Sequence, residues 1–164
     1  MARCAVFDLD GVLFDVSKRL ELCLAEAGAG SVDSIPRGRR SLFWNCFLSD
    51  RYMHLDVPNK ELVEYVKSLK GQGYRIVIVT GRREDTQKHY TVKQLRDAGI
   101  PYDEIFFRPA KSYKKDYELK AEIIKRLIQS GCEIAEVWDD NKDVVKAIKA
   151  ILPHAKVVHY RIGI

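Results

Sequence analysis

Residues 5–13, Ala5-Val6-Phe7-Asp8-Leu9-Asp10-Gly11-Val12-Leu13, form an apolar run that stops at two carboxylates two residues apart and then meets a glycine. Packing a core strand gives no reason for that ending. Aspartate is a poor strand former, so two of them straddling one leucine at the exit of a buried strand set two negative charges on the rim of a sheet. At close range they repel by about 4 kcal/mol at an effective dielectric of about 20, a repulsion that a bound cation relieves. A helix cap or Asx turn needs one carboxylate and has no use for the pair with the glycine.

Four more apolar runs read as buried strands: Arg75 to Val79, Glu104 to Phe107, Ile134 to Trp138 and Lys156 to Tyr160. Helical patterns lie between them. Pro58 to Lys70 carries Leu62, Val66 and Leu69 on one face, with Gly71 and Gly73 beyond its end. Glu84 to Ala98 has Val92 and Leu95 on one face and stops at Gly99. Asp116 to Ser130 aligns Leu119, Ile123, Leu127 and Ile128, and a last helix runs from about Lys142 to Leu152, before Pro153. Strands alternating with helices imply parallel pairing through right-handed crossovers, hence a doubly wound α/β domain with its five-stranded sheet covered on both faces. Residues 14–57 hold no obvious core strand. They contain a helix over Ser17 to Ala27, a turn at Gly28 to Ser31 and a basic, aromatic stretch from Arg37 to His54, and read as an insertion over one end of the sheet.

At 164 residues the chain is long enough for one domain with a true core. No apolar run approaches the roughly 20 residues that cross a bilayer, and Cys4-Ala5-Val6-Phe7 follows no basic leader, so a cytoplasmic protein with no membrane contact is expected. Cys4, Cys23, Cys46 and Cys132 form no C-x-x-C pair and no zinc-ligand spacing; they are expected to be reduced packing thiols. The net charge of +5 is spread along the chain, as in a solvated surface, and raises the prospect of a nucleic-acid partner only slightly. No obligate protein partner is evident.

In an open α/β sheet, ligands bind outside the carboxyl ends of the strands. Here every exit near the middle of the chain order is polar: Asp8 and Asp10, Thr80-Gly81-Arg82, Arg108, and Asp139-Asp140-Asn141. Together they offer carboxylates for a metal, a hydroxyl and backbone N–H groups for an oxyanion, and guanidinium groups for a phosphate.

These segments resemble those of the haloacid dehalogenase superfamily of phosphohydrolases. The matching residues are Asp8-Leu9-Asp10-Gly11-Val12-Leu13, Val79-Thr80-Gly81-Arg82, Lys120 within a helix, and Asp139-Asp140 with Asp143, in the family's order over nearly the whole chain. The resemblance implies a Rossmann-like sheet of order 3-2-1-4-5 with a small helical cap, here residues 14–57, inserted after the first strand of a single domain over residues 1–164. It implies that Asp8 is the nucleophile, forming an aspartyl-phosphate, and that Asp10 is the general acid and then the base. Thr80 would bind the phosphoryl oxygens, Lys120 would neutralise them and steady Asp8, and Gly81, Arg82 and Arg108 would line the phosphate. Mg²⁺ would be held by Asp8, Asp10 through its backbone carbonyl, and Asp139 or Asp140. Aligning Asp139 makes Asp143 a supporting residue; aligning Asp140 does not. Taken singly, Thr80 reads as a turn hydroxyl and Lys120 as a surface lysine; Lys111, Lys114 and Lys115 are rivals in a polar loop.

Within the superfamily, Gly73 to Arg82, Gly99-Ile100-Pro101-Tyr102-Asp103, Phe107-Arg108-Pro109 and Leu119 to Ile123 resemble the 3'-phosphatase domain of bacteriophage-type polynucleotide kinase and its stand-alone relatives. The chain departs from that pattern at Asn141, where an arginine commonly follows the Asp pair, and it holds no Gly-x-x-x-x-Gly-Lys-Ser/Thr segment. In the insertion, Phe43, Trp44, Phe47 and Tyr52 are expected to form a packing face, and Arg37, Arg39 and Arg40 to be solvated. The resulting expectation is a Mg²⁺-dependent phosphomonoesterase acting on polynucleotide 3'-phosphate ends. The alternatives are nucleotides or other small phosphorylated metabolites as substrates, and a non-catalytic phosphate-binding module. Dehalogenation through an Asp8 ester has no use for Asp10 or for an acidic metal site.

Overall fold

In the computed structural model, which describes residues 3–162, the opening apolar run becomes β1 (Arg3–Phe7). An insertion follows, made of β2 (Phe14–Asp15), α1 (Ser17–Glu26), α2 (Arg40–Phe47) and β3 (Val57–Pro58). The rest alternates: α3 (Lys60–Gly71), β4 (Arg75–Arg83), α4 (Glu84–Asp97), β5 (Glu104–Arg108), α5 (Asp116–Gln129), β6 (Glu133–Asp139), α6 (Lys142–Ile151) and β7 (Lys156–His159). Five strands form one sheet in the order β5-β4-β1-β6-β7, all neighbours parallel. Numbered by their order along the chain, that is the expected 3-2-1-4-5, with β1 in the centre and both of its edges paired.

Because side chains alternate along a strand, β1 and β4 divide their apolar residues between two faces. Ala5, Phe7, Ile76 and Ile78 pack under α3 and α4, against Leu62, Val66 and Leu95. Cys4, Val6, Val77 and Val79 pack over α5 and α6, against Leu119, Ile123, Val144 and Ile148. Burying both faces leaves the carboxyl ends of the strands as the open side of the central sheet.

Several boundaries differ from the expected ones for local reasons. Pro58 pairs with Phe14 in a short antiparallel ribbon instead of opening α3, and the helix is capped by Asn59, whose side chain accepts the Leu62 N–H and donates to the carbonyl of Val12. Strand β4 runs past Val79 to Arg83, where it pairs with Arg108. On α4 the buried stripe is Gln87, Thr91 and Leu95, with Val92 only half-buried, so this helix docks through polar groups. On α5, Ile124 takes the buried place expected of Ile128, and Lys120 lies on the same inner stripe.

The cysteines are a correction. Cys4 is joined to Cys132 and Cys23 to Cys46, with Cα separations of 6.1 and 5.5 Å. Spacing along the chain hid both pairs, because β1 lies beside the start of β6 and α1 packs on α2. The insertion has its own small core of Cys23, Leu24, Ala27, Ile35, Phe43 and Cys46. Phe43 and Phe47 stack within it as expected, and Trp44, 44% exposed, packs edge-on against both rings. No helix among the described residues is long and apolar enough to cross a membrane.

Candidate active site

The chain leaves β1 at Asp8 and reverses through Gly11, whose φ of +81° suits glycine alone. The loop closes on itself: Gly11 N–H donates to the carbonyl of Phe14, and Phe14 N–H to that of Leu9. A Cβ on Gly11 would sit 2.6 Å from Oδ2 of Asp140, so the glycine also admits that carboxylate against the turn. One oxygen of each carboxylate of Asp8, Asp139 and Asp140 falls within 4.8 Å of the others.

Lys120 reaches this cluster from the inner stripe of α5, with Nζ 3.2 Å from Oδ1 of Asp8 and 2.7 Å from Oδ2 of Asp139. The rival lysines are elsewhere: Lys114 pairs with Glu122 and Lys115 lies over the Tyr117 ring. Asp139 spends its other oxygen on the Asn141 N–H, and Asn141 caps α6 with its side chain. Asp143 is an exposed first-turn residue of α6 rather than a support for the cluster. Burial pushes the Asp8 carboxyl well above the ordinary range; Lys120 pulls it back, while Asp139, Asp140 and Asp10 add repulsion. Burial and then Asp139 push Asp140 up to about 6. Burial also works against the Lys120 charge, but Asp139 and Asp8 more than offset it and hold the ammonium well above its usual range. Three carboxylates against one ammonium leave a surplus of negative charge on hard oxygen donors, which fits Mg²⁺.

Asp10 has the opposite surroundings. Its Oδ1 accepts from Arg19 Nη2 at 2.7 Å and from Arg82 Nη2 and Nε at 2.7 and 3.0 Å. Its Oδ2 accepts no hydrogen bond among the described residues. Burial works against ionisation of Asp10, yet the two arginines outweigh it and hold the carboxyl at about 2.

Arg82, which the resemblance placed at the phosphate, is committed to protein partners in this structure. It is 1% exposed, and its remaining N–H groups go to Asp56, Thr91 and Gln94, which leaves none of the five free. Arg108 is also committed, to the carbonyls of Gly81, Ser112 and Lys114 and to the carboxylate of Asp116, so one N–H remains. Thr80 is buried with its hydroxyl oxygen accepting the Arg82 N–H, and a Cβ on Gly81 would meet Asp116 at 2.8 Å. Sequence reasoning missed Arg19, Asp56 and Gln94. Arg19 carried one signal, its place one helical turn before Cys23 on the inner face of α1.

A family model described as the polynucleotide kinase PNKP phosphatase domain matches residues 40–157, a span that holds Thr80, Arg82, Arg108, Lys120, Asp139 and Asp140. No curated protein matches the chain. Among solved structures, a chain of the Pnkp1/Rnl/Hen1 complex superposes with a TM-score of 0.70 at 22% identity over 96% of this chain and 45% of that one. The present chain thus spans less than half of that relative. A haloacid dehalogenase-like hydrolase from Streptococcus pneumoniae superposes with a TM-score of 0.67 at 15% identity, covering 91% of this chain and 80% of that one. With the family model covering most of its length and a sheet of the expected order, the chain belongs to the polynucleotide kinase PNKP phosphatase domain family of haloacid dehalogenase-like phosphatases.

Proposed function

We propose that the protein is a Mg²⁺-dependent phosphomonoesterase working through an aspartyl-phosphate on Asp8. One observation carries the reading: two carboxylates two residues apart are held in opposite electrostatic surroundings, Asp8 among acids and a lysine, Asp10 between two arginines. Paired carboxylates divided in this way take different parts in one reaction.

In the first step an oxygen of Asp8 attacks phosphorus as the bond to the leaving oxygen breaks, and Asp10 gives that oxygen a proton from Oδ2, the atom its arginines leave free. The arriving phosphoryl dianion adds a like charge beside Asp10 that opposes the arginines, so substrate binding favours the protonated form. In the second step Asp10 takes a proton from water, the water oxygen bonds to phosphorus, and the bond to Asp8 breaks to release inorganic phosphate. Thr80 donates its hydroxyl proton to a phosphoryl oxygen, and Lys120 neutralises charge on Asp8. Asp8, Asp140 and the backbone carbonyl of Asp10 would hold Mg²⁺, which when bound would supply further charge neutralisation. Asp140 would take the direct position, since both oxygens of Asp139 already accept hydrogen bonds, from Lys120 and from Asn141.

The substrate proposed is a polynucleotide 3'-phosphate end, on the strength of the family, with nucleotides and small phosphorylated metabolites as the alternative. Residues 14–57 act as a short cap within a single domain. The test is hydrolysis of p-nitrophenyl phosphate and of a panel of 3'- and 5'-phosphorylated oligonucleotides, mononucleotides and sugar phosphates, with Mg²⁺ and with EDTA. Metal-dependent turnover that vanishes in Asp8→Asn is the expected result. Full activity of that variant sinks the mechanism, and a silent panel with phosphate still bound supports the non-catalytic reading.

A further inference from the structure

We propose that Gln94 is a positioning residue that makes the alignment of Asp10 depend on docking of the insertion, a reading that rests on Asp10 being the proton donor. The side chain sits on α4 between two bodies. Its Oε1 accepts from Arg82 Nη1 at 2.8 Å, while its Nε2 donates to the carbonyl of Met53 at 2.8 Å and to Oδ2 of Asp56 at 3.1 Å. Only an amide in this orientation serves all three partners, because a guanidinium needs an acceptor and the two oxygens need donors.

Asp10 is a junction in the same sense. Of its two arginines, Arg82 comes from the sheet and Arg19 from α1 of the insertion, and Asp56, also from the insertion, binds both. Arg19 and Asp56 leave together if the insertion lifts away. Other hydrogen bonds from α4 to the insertion run from Thr86 to the carbonyl of Leu48 and from Gln87 to the carbonyls of Phe47 and Ser49 and the sulfur of Met53. Neither of those side chains hydrogen-bonds Arg82 among the described residues. Among the described residues, Gln94 alone on α4 hydrogen-bonds both the insertion and Arg82, one of the two arginines on Asp10. Closing the insertion and aiming Oδ2 of Asp10 are thereby one event.

The experiment compares kcat/KM for an alkyl phosphate, whose leaving oxygen needs a proton, with that for p-nitrophenyl phosphate, whose phenolate does not. In Gln94→Ala the value for the alkyl ester should fall at least ~10-fold further than that for the aryl ester, a part of the roughly 10²–10⁴-fold that a general acid supplies. Gln94→Glu keeps the acceptor for Arg82 but turns the donor end into an oxygen facing Met53 and Asp56, and it should show the same selective loss. If it behaves as wild type, the link to the insertion is wrong. If both esters lose equally in Gln94→Ala, or neither does, the positioning role is wrong. Amide exchange over residues 40–56 is followed in the same variants and should accelerate at least ~10-fold when the link is cut. Because that readout needs no turnover, a wild type inactive on every ester overturns the phosphatase reading while leaving the coupling of Gln94 to the insertion measurable.

Discussion

Asp8 and Asp10 share a turn and differ in almost everything that sets a carboxylate's behaviour. Asp10 is held at about 2 against an ordinary 3.8, so it binds fewer protons folded than unfolded between those values. Stability from it is fully present above 3.8 and is lost as the pH falls toward 2, on the order of 2 kcal/mol in all. Urea unfolding of wild type and Asp10→Asn from pH 6 to 2 should show a gap that closes on acidification; a gap independent of pH would contradict the arginine clamp. Lys120 is the corresponding test on the other side. Lys120→Met leaves Asp8 and Asp139 buried without their cation and should destabilise by about 3–5 kcal/mol, seen as a lower urea midpoint in EDTA. Millimolar Mg²⁺ should recover part of that loss.

At the scale of elements, α4 and α5 read as ordinary amphipathic helices, and each puts polar groups where the pattern promised apolar ones. On α5 the stripe Leu119, Lys120, Ile123, Ile124 and Leu127 is what one helical face requires, so Lys120 is carried into the interior by its neighbours. On α4, Thr86, Gln87 and Gln94 make a polar seat for the insertion, and no periodicity of apolar residues announces such a seat. The insertion is tied internally by Cys23 and Cys46, 23 residues apart, and closing a loop of that length contributes about 3 kcal/mol. Cys46→Ser should therefore unfold earlier than wild type under oxidising conditions, and excess dithiothreitol should bring the two together. A difference that survives the reductant would mean that packing of the sulfur, not the crosslink, was responsible.

For the molecule as a whole, the acidic cluster at the open end of the sheet is a cost that a cation removes. Millimolar Mg²⁺ should raise the melting temperature, since an ion bound at a hundred times its Kd adds about 2.7 kcal/mol. Asp140→Asn should raise the metal-free melting temperature by relieving repulsion, and should erase the Mg²⁺ increment. Retention of the increment there, with loss in Asp139→Asn, would assign the direct ligand to Asp139. The apolar runs and helical periodicities are local patterns, so the strands, the helices and the parallel sheet were legible in the sequence by itself, whereas the strand order and the gathering of Asp8, Lys120 and Asp139 at one end were implied by the family resemblance. The partners of Asp10 were not, because Arg82 lies 72 residues from it and Asp56 lies 37 residues from Arg19. Whether an arginine meets a phosphate or a buried carboxylate depends on which donors and acceptors the packed insertion brings within hydrogen-bond reach, and only the tertiary structure decides that.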